Sequence, residues 1–503
     1  MRRFFIVLIA IGLLVTGCKK KDNPASQSDP GVTPAITSSV TGIANSPVQE
    51  LDTAPSIEIK EEIIRKMRDM VLSDKTPYEL IEFIQNSING TQADEADKLF
   101  LILETVQKAW LGYFQGSMDF SPENTDDEFL AWFNNNGFKL ITIDSDRVPA
   151  IRYDVYWNNR NSLSEWYAHY IEIIRSESNE PSVWNGKLNI PVEELENRIL
   201  KTSDYMEKYP ETIKTNEVMN YYEDYLFAYL YGYDPDPVCD VNEGLISRKH
   251  YERYKEFVKN HAGSTVSGIL SEYIGLIEKG NFSLTDEIMF FLEDVFSGLN
   301  EQKSADASNI GVQIMAERMV KLLPGKTGFF WRCFGFAEYG HNAVLSSIRL
   351  VDGNPVYIVT GEVDDLSGGE TQGDDFSIYL QYTIENNILV QSKDAPLMMD
   401  SDFNGIELIR YPFITGHKWI QYPVDDKGNK YSIETEIINI YESDDGTIYE
   451  VEYRDMSNGK VENRLIQSGK GTIGFTKIYD DNENEPFYIG YTIYEEQTGY
   501  LDN

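Results

Sequence analysis

Basic residues are scarce in this chain of 503 residues: 44 Lys and Arg stand against 82 Asp and Glu, a net charge of −38. A surface that acidic repels phosphate backbones, which argues against nucleic acid as a partner. Cysteine is scarcer still, at three, too few for a disulfide-framed scaffold. No apolar run reaches the roughly 18 residues that a membrane-spanning helix needs. The five histidines (His169, His250, His261, His341, His417) are scattered. Neither His-Glu-x-x-His nor Gly-x-Ser-x-Gly occurs, so the commonest zinc- and serine-hydrolase signatures are missing. Apolar residues, by contrast, make up 41% of the chain and aromatic ones 13%, with 32 Tyr and 7 Trp. That is enough to build real cores and excludes global disorder. The length suggests two or three domains.

The N-terminus carries an address. Met1-Arg2-Arg3 is positive, and Phe4 to Val15 is apolar. About 12 residues is too short to cross a bilayer but suits a signal-peptide core. The run ends in Val15-Thr16-Gly17-Cys18, which resembles a bacterial lipobox. That resemblance implies removal of residues 1–17 and lipidation of Cys18, with a diacylglycerol-type anchor and palmitate. The chain is therefore expected as a membrane-anchored lipoprotein on the extracytoplasmic face. Lys19-Lys20-Lys21 adds attraction to anionic headgroups. Residues 19–56 are rich in Pro, Ser, Thr, Ala and Asn, so 18–56 reads as the lipidated Cys and a disordered tether. Cys239 and Cys333 remain, either as a disulfide in an oxidising compartment or as two separate buried thiols.

The rest divides by period. Over 57–323 the apolar spacing is helical, with Ile59, Ile63, Met67, Met70 and Val71 on one face. Thr76-Pro77-Tyr78-Glu79 has the form of a capping box. Further helices are expected over about 94–114, 192–208, 216–232, 247–258, 263–279, 284–297 and 308–322. Over 324–503 the period becomes two: Tyr449, Val451 and Tyr453 share one face and Ile448, Glu450 and Glu452 the other. The expected fold is an N-terminal all-α domain (57–323) followed by a C-terminal antiparallel β sandwich or barrel (324–503).

The β region repeats itself. Pro324, Gly328 and Trp331 have the spacing Pro-x3-Gly-x2-Trp, and Pro412, Gly416 and Trp419 repeat it, each followed by two β segments. Pro fixes the entry into a strand, Gly permits a turn and Trp plugs a core. These motifs, with Phe334-Gly335-Phe336-Ala337-Glu338-Tyr339 and the Gly-rich Gly469 to Gly474, resemble a β domain of uncharacterised bacterial lipoproteins, mostly Gram-positive. The resemblance covers about 180 residues. It implies an architecture and an export route, not an activity. Arg332-Cys333 departs from its pattern.

Candidate chemistry is thin. Gly469, Gly471 and Gly474 spell Gly-x-Gly-x-x-Gly, but a strand follows where dinucleotide binding requires a helix. Asp364, Asp365, Glu370, Asp374 and Asp375 lie in an acidic, Gly-rich loop with oxygens suited to Ca²⁺, although a solvated turn is the favoured reading. Asp234, Asp236, Asp240 and Glu243 form a second such group. Glu338, Tyr339 and His341 are close enough in sequence to share a pocket. No cofactor is otherwise expected. The favoured reading is a non-catalytic binding or scaffolding module of the cell envelope with a glycan or protein partner. The rivals are a secreted hydrolase that cuts glycan or peptidoglycan through paired carboxylates, and a Ca²⁺-stabilised spacer.

Overall fold

The computed structural model describes residues 49–500, apart from 234, 241–242, 302, 304–308, 352, 366–374, 426 and 480–486. Residues 1–17, Cys18, Glu370 and Asp374 therefore lie outside the described residues. The end of the expected tether is ordered: Gln49–Leu51 pairs antiparallel with Ile348 to Leu350, and Ala54 donates its N–H to Gly325 O at 2.8 Å. A short extended segment needs no core of its own when a sheet offers it unpaired backbone groups.

Helices occupy the N-terminal half. They are α1 (Glu62–Leu72), α2 (Pro77–Ser87), α3 (Ala93–Ser117), α4 (Asp127–Asn135), α5 (Asp154–Trp157), α6 (Glu165–Asn179), α7 (Val192–Lys208), α8 (Thr215–Tyr231), α9 (Arg248–Asn260), α10 (Thr265–Lys279), α11 (Asp286–Glu301) and α12 (Ile310–Val320). The capping box opens α2: the Glu79 carboxylate accepts from Thr76 N–H at 2.8 Å, and Thr76 Oγ1 accepts from Glu79 N–H at 3.4 Å. On α1 the buried stripe is Ile64, Met67 and Val71. The helical region also holds a hairpin, Phe138–Ile143 with Asp146–Ile151, turning at Asp144 with φ +55°. Its β-branched run Ile141-Thr142-Ile143 suits a strand better than a helix. No described helix is long and apolar enough to cross a membrane.

The C-terminal part is one large antiparallel sheet, nearly closed into a barrel. Twelve strands follow its main path, β1 (Phe329–Gly335), β2 (Gly340–Val351), β3 (Asn354–Val363), β4 (Ser377–Glu385), β5 (Ile388–Asp394), β6 (Ile406–Arg410), β7 (Lys418–Gln421), β8 (Ile433–Ser443), β9 (Gly446–Asp455), β10 (Val461–Gln467), β11 (Gly471–Tyr479) and β12 (Phe487–Ile493), and Gln49–Leu51 and Gly499–Tyr500 pair beside it with β2 and β1. The spatial order is β6-β5-β4-β3-β2-β1-β12-β11-β10-β9-β8-β7. Strands β1 to β6 and β7 to β12 are thus two meanders of matching order, joined where β1 pairs with β12.

The duplicated motif performs one job twice. Gly328, at φ +83°, donates its N–H to Leu345 O at 2.8 Å, and Gly416, at φ +87°, donates to Ile437 O at 2.7 Å. Each acceptor immediately precedes a bulge in the second strand of its meander, at Leu345/Ser347 and Ile437/Asn439. Positive φ at both sites explains the glycine. Trp331 and Trp419 are both buried. Gly469 and Gly471, both at positive φ, make the β10–β11 turn, and β11 follows instead of a helix.

The seam between β6 and β7 lacks a ladder. There the Gln421 side chain accepts from Glu407 N–H at 2.8 Å and donates to Glu407 O at 3.0 Å. One amide side chain thereby reproduces the double exchange of an antiparallel pair. A continuous apolar core runs from α1 to α6 and α12 into the barrel, and a second core lies among α7 to α11.

Candidate binding site at the plugged end of the barrel

The two ends of the barrel differ. One is covered by helices: α12 packs on β3 and β4, and Gly469 and Gly471 donate N–H groups to Lys321 O and Leu322 O. At this end Arg318 bonds both Asp74 oxygens at 2.7 Å and lies 4.6 Å from the Phe413 ring centroid. Helix α3 comes so close to β7 that a Cβ on Gly116 would sit 2.4 Å from Lys418 O.

The opposite end is closed by residues 395–405, the connection from β5 to β6. Lys393 Nζ donates to Ser401 O. Lys477 Nζ donates to Asp400 O at 2.9 Å and to Asp402 Oδ1 at 2.8 Å, and Met399 N–H donates to the Tyr339 hydroxyl at 3.0 Å. This plug carries Asp400 into the barrel, fully buried. There Asp400 Oδ2 accepts from Gln391 Nε2 at 2.9 Å, and Oδ1 lies 2.6 Å from Arg464 Nη2.

Strand alternation puts Arg464 there. Glu462, Arg464 and Ile466 on β10 are buried, whereas Asn463 and Leu465 between them are not. The Arg464 guanidinium lies 4.8 Å from the Phe475 ring centroid and 5.9 Å from that of Tyr453. Burial works to raise the Asp400 carboxyl, but the Arg464 and Lys393 charges outweigh it and hold it below the usual carboxylate range. Burial likewise works against the charge on Arg464, and Asp400 more than offsets it. Glu462 is pushed up by burial, and His341 is pushed down to about 4 by the same cause. The interior thus holds one committed ion pair among groups that favour neutrality.

The sequence candidates fall at this same end. Tyr339 and His341 come together, with ring centroids 5.5 Å apart, and Tyr491 lies 4.8 Å beyond His341. Glu338 does not join them: it is exposed, and it and Ala337 both have positive φ. Asp364 is bound through both oxygens by Arg332, at 2.8 and 2.6 Å, so its charge is already matched. Asp375 accepts from Ser377 N–H. Among the described residues no group of three or more His, Cys, Asp or Glu side chains is placed to hold a metal ion. Arg332 supplies that ion pair, and the next residue, Cys333, is a buried thiol pushed up to about 12 by burial. Cys239 and Cys333 are not paired with each other.

Two features of the helical half bear on catalysis. Buried Glu104 is held by Lys108 and Lys214, each at 2.9 Å, and by the Tyr153 hydroxyl at 3.2 Å; both lysines also reach Glu217, at 2.6 and 2.9 Å, so two carboxylates and two ammonium groups match in charge. A hollow of about 300 Å³ is lined by Gln85, Arg152, Asp154, Val155, Asn158 and Asn159. Its one carboxylate, Asp154, accepts from Arg175 Nε at 2.7 Å, so it holds no facing carboxylate pair. Beside it the guanidinium carbons of Arg160 and Arg175 lie 4.5 and 5.5 Å from the Trp157 ring centroid.

At the rim of the plugged end three rings are in contact. Tyr479 pairs across the ladder with Phe487 at 5.4 Å, and Phe336 lies 5.2 Å from Phe487. All three are exposed, at 49% for Phe336, 45% for Tyr479 and 37% for Phe487. The outer face adds Phe334 and Tyr494, 4.0 Å apart.

No protein-family model matches this chain, and no curated protein does. Among solved structures, a provisionally named lipoprotein from Parabacteroides distasonis is similar at 10% identity. That likeness covers 34% of this chain and 95% of the other, with a TM-score of 0.22, at which it carries no argument.

Proposed function

We propose that this chain is a lipid-anchored, extracytoplasmic binding module of the bacterial cell envelope that engages its partner at the plugged end of the barrel. The observation that carries the reading is the exposed ring row Phe336, Phe487 and Tyr479 above a charged interior. Exposed aromatic faces stack on sugar rings or peptide planes, and a row of them in water is an unusual surface to keep. The Val15-Thr16-Gly17-Cys18 run supports the anchor, and the tandem Pro-x3-Gly-x2-Trp motifs support the likeness to bacterial lipoproteins. Chain entry fits as well. Gln49–Leu51 pairs at the 348–350 end of β2, while the rim lies by its 340 end, about 33 Å away at about 3.3 Å per residue.

The test uses full-length protein in detergent micelles and purified peptidoglycan sacculi. Wild type cosediments, and the triple variant Phe336→Ala, Tyr479→Ala, Phe487→Ala loses binding by at least about tenfold, since each stacking contact contributes about 0.5–1.5 kcal/mol. A wild type that stays in the supernatant, or a triple variant that pellets equally, overturns the reading. For the anchor, labelled palmitate enters the wild type and not Cys18→Ser; an intact Met1 on the membrane-extracted protein overturns it.

A further inference from the structure

A buried guanidinium offers five N–H donors in a rigid fork that matches the two oxygens of a carboxylate. Elsewhere this molecule uses that match: Arg332 takes both oxygens of Asp364, and Arg318 both oxygens of Asp74. Arg464, which has no exposed surface, does not. Its Nη2 approaches Asp400 Oδ1 at 2.6 Å but outside hydrogen-bonding angles, and Nε, Nη1 and Nη2 find no acceptor on the protein. His341 Nδ1, buried and within Coulombic reach of Asp400, likewise has no protein partner. An ion pair kept only for stability would be expected to satisfy its fork, because a buried unsatisfied donor is costly.

The partner is also unusual in where it comes from. Asp400 belongs to no barrel strand; it hangs from the 395–405 connection, which the barrel holds through Lys393, Lys477 and Tyr339 and, beyond Asp400, through the Asn404 amide on the Lys393 backbone and the pairing of Phe403–Asn404 with Val424–Asp425. We propose that Arg464 is the carboxylate-recognising residue of a ligand site inside the barrel, that Asp400 occupies this site as a tethered substitute, and that a small carboxylate, free or at the end of a larger ligand, displaces it together with the plug. Displacement frees Lys393 and Lys477, so three cations converge on the incoming anion in a chain of net charge −38. Phe475 and Tyr453 wall the guanidinium and hold its plane. The inference rests on reading the plugged end as the binding site, and it adds the ligand's chemistry and the closed state.

The probe is sodium acetate against sodium chloride at equal ionic strength, on the full-length protein in micelles. Acetate raises the melting temperature of Asp400→Ala, with a midpoint at least about tenfold lower than in wild type, where the tethered carboxylate competes. Adding Arg464→Met abolishes the response. Equal effects of acetate and chloride, or a response that survives Arg464→Met, overturn the proposal. If Asp400→Ala folds in acetate and not in chloride, the proposal is supported. If it folds in neither, wild type decides: the Met399 amide, bonded to Tyr339, exchanges hydrogen faster in molar acetate than in chloride, and unchanged exchange overturns the proposal. Sacculus cosedimentation is read separately. Its loss with the acetate response intact removes the glycan reading alone; an absent acetate response with cosedimentation intact removes the Arg464 site alone.

Discussion

At the helix-covered end of the barrel Arg318 meets Asp74 through two hydrogen bonds of 2.7 Å, whereas at the plugged end Arg464 meets Asp400 through one undirected contact of 2.6 Å. The first pair joins a helix to the turn after α1 and stacks on Phe413. The second joins a strand to a connection held by two lysines, the Tyr339 hydroxyl and the short pairing of Phe403–Asn404 with Val424–Asp425. One end therefore carries an ion pair whose fork is matched by both carboxylate oxygens, and the other a charge inserted into a site that fits it poorly. Charge burial without full hydrogen bonding costs stability, so a fold that spends it in one place and avoids it in another marks the costly place as the functional candidate.

The comparison is most directly broken by substitution. Asp400→Ala leaves a buried guanidinium uncompensated and should cost about 3–5 kcal/mol in denaturant unfolding, whereas Asp400→Leu combined with Arg464→Met should recover most of it, because removing both charges removes the penalty. Asp74→Ala should cost less, since Asp74 is half exposed. If Asp74→Ala proves the worse lesion, the contrast between the two ends fails.

A pH titration sharpens it. His341 lies at the plugged end and His417 at the helical end, and burial depresses both from the ordinary 6.5 to about 4. Between those values the unfolded chain binds protons that the folded one refuses. Stability is therefore complete above about pH 6.5 and falls as the pH drops toward 4, by on the order of 3 kcal/mol for each histidine. His417 Nδ1 bonds Pro412 O at 2.8 Å, while His341 Nδ1 has no protein partner. His341→Phe should thus flatten the pH dependence at little cost at neutral pH, and His417→Phe should flatten it while losing about 1 kcal/mol.

Two smaller effects bracket the barrel. Gln421→Leu leaves the Glu407 N–H and C=O without that amide and should cost about 1–3 kcal/mol. Unfolding that is unchanged would show that the seam needs no side-chain closure. Thr76→Ala, in the helical half, should cost about 1 kcal/mol through the lost capping box, read from the same denaturant curves.

Much of the fold was legible because local periodicity carries it. The expected spans 192–208, 216–232 and 263–279 fall within a few residues of α7, α8 and α10. The alternation of Tyr449, Val451 and Tyr453 put those residues on one face, which the structure buries, and the tandem motif marked the two meanders. The hairpin at Phe138–Ile151 was missed because a helical neighbourhood masked a short β-branched run. The site was less legible. The Glu462, Arg464, Ile466 alternation was present as a signal, since it places two charged residues on the inward face of a strand. Nothing local connected it to Asp400, 64 positions earlier. The acidic loop attracted attention by composition, yet Asp364 is matched by Arg332, a pairing that depends on the registers of β1 with β2 and of β2 with β3.

The sequence alone determined the change from a helical to an alternating period near residue 324, the two copies of the strand-entry motif, and the charge imbalance, because each is written in neighbouring residues. Only the tertiary structure decided that Gln421 closes the seam, that the aromatic rim stands over a charged interior, and that Asp400 reaches Arg464. Those contacts join residues far apart in the chain, and they exist only once the curvature and register of twelve strands bring them within a few ångströms.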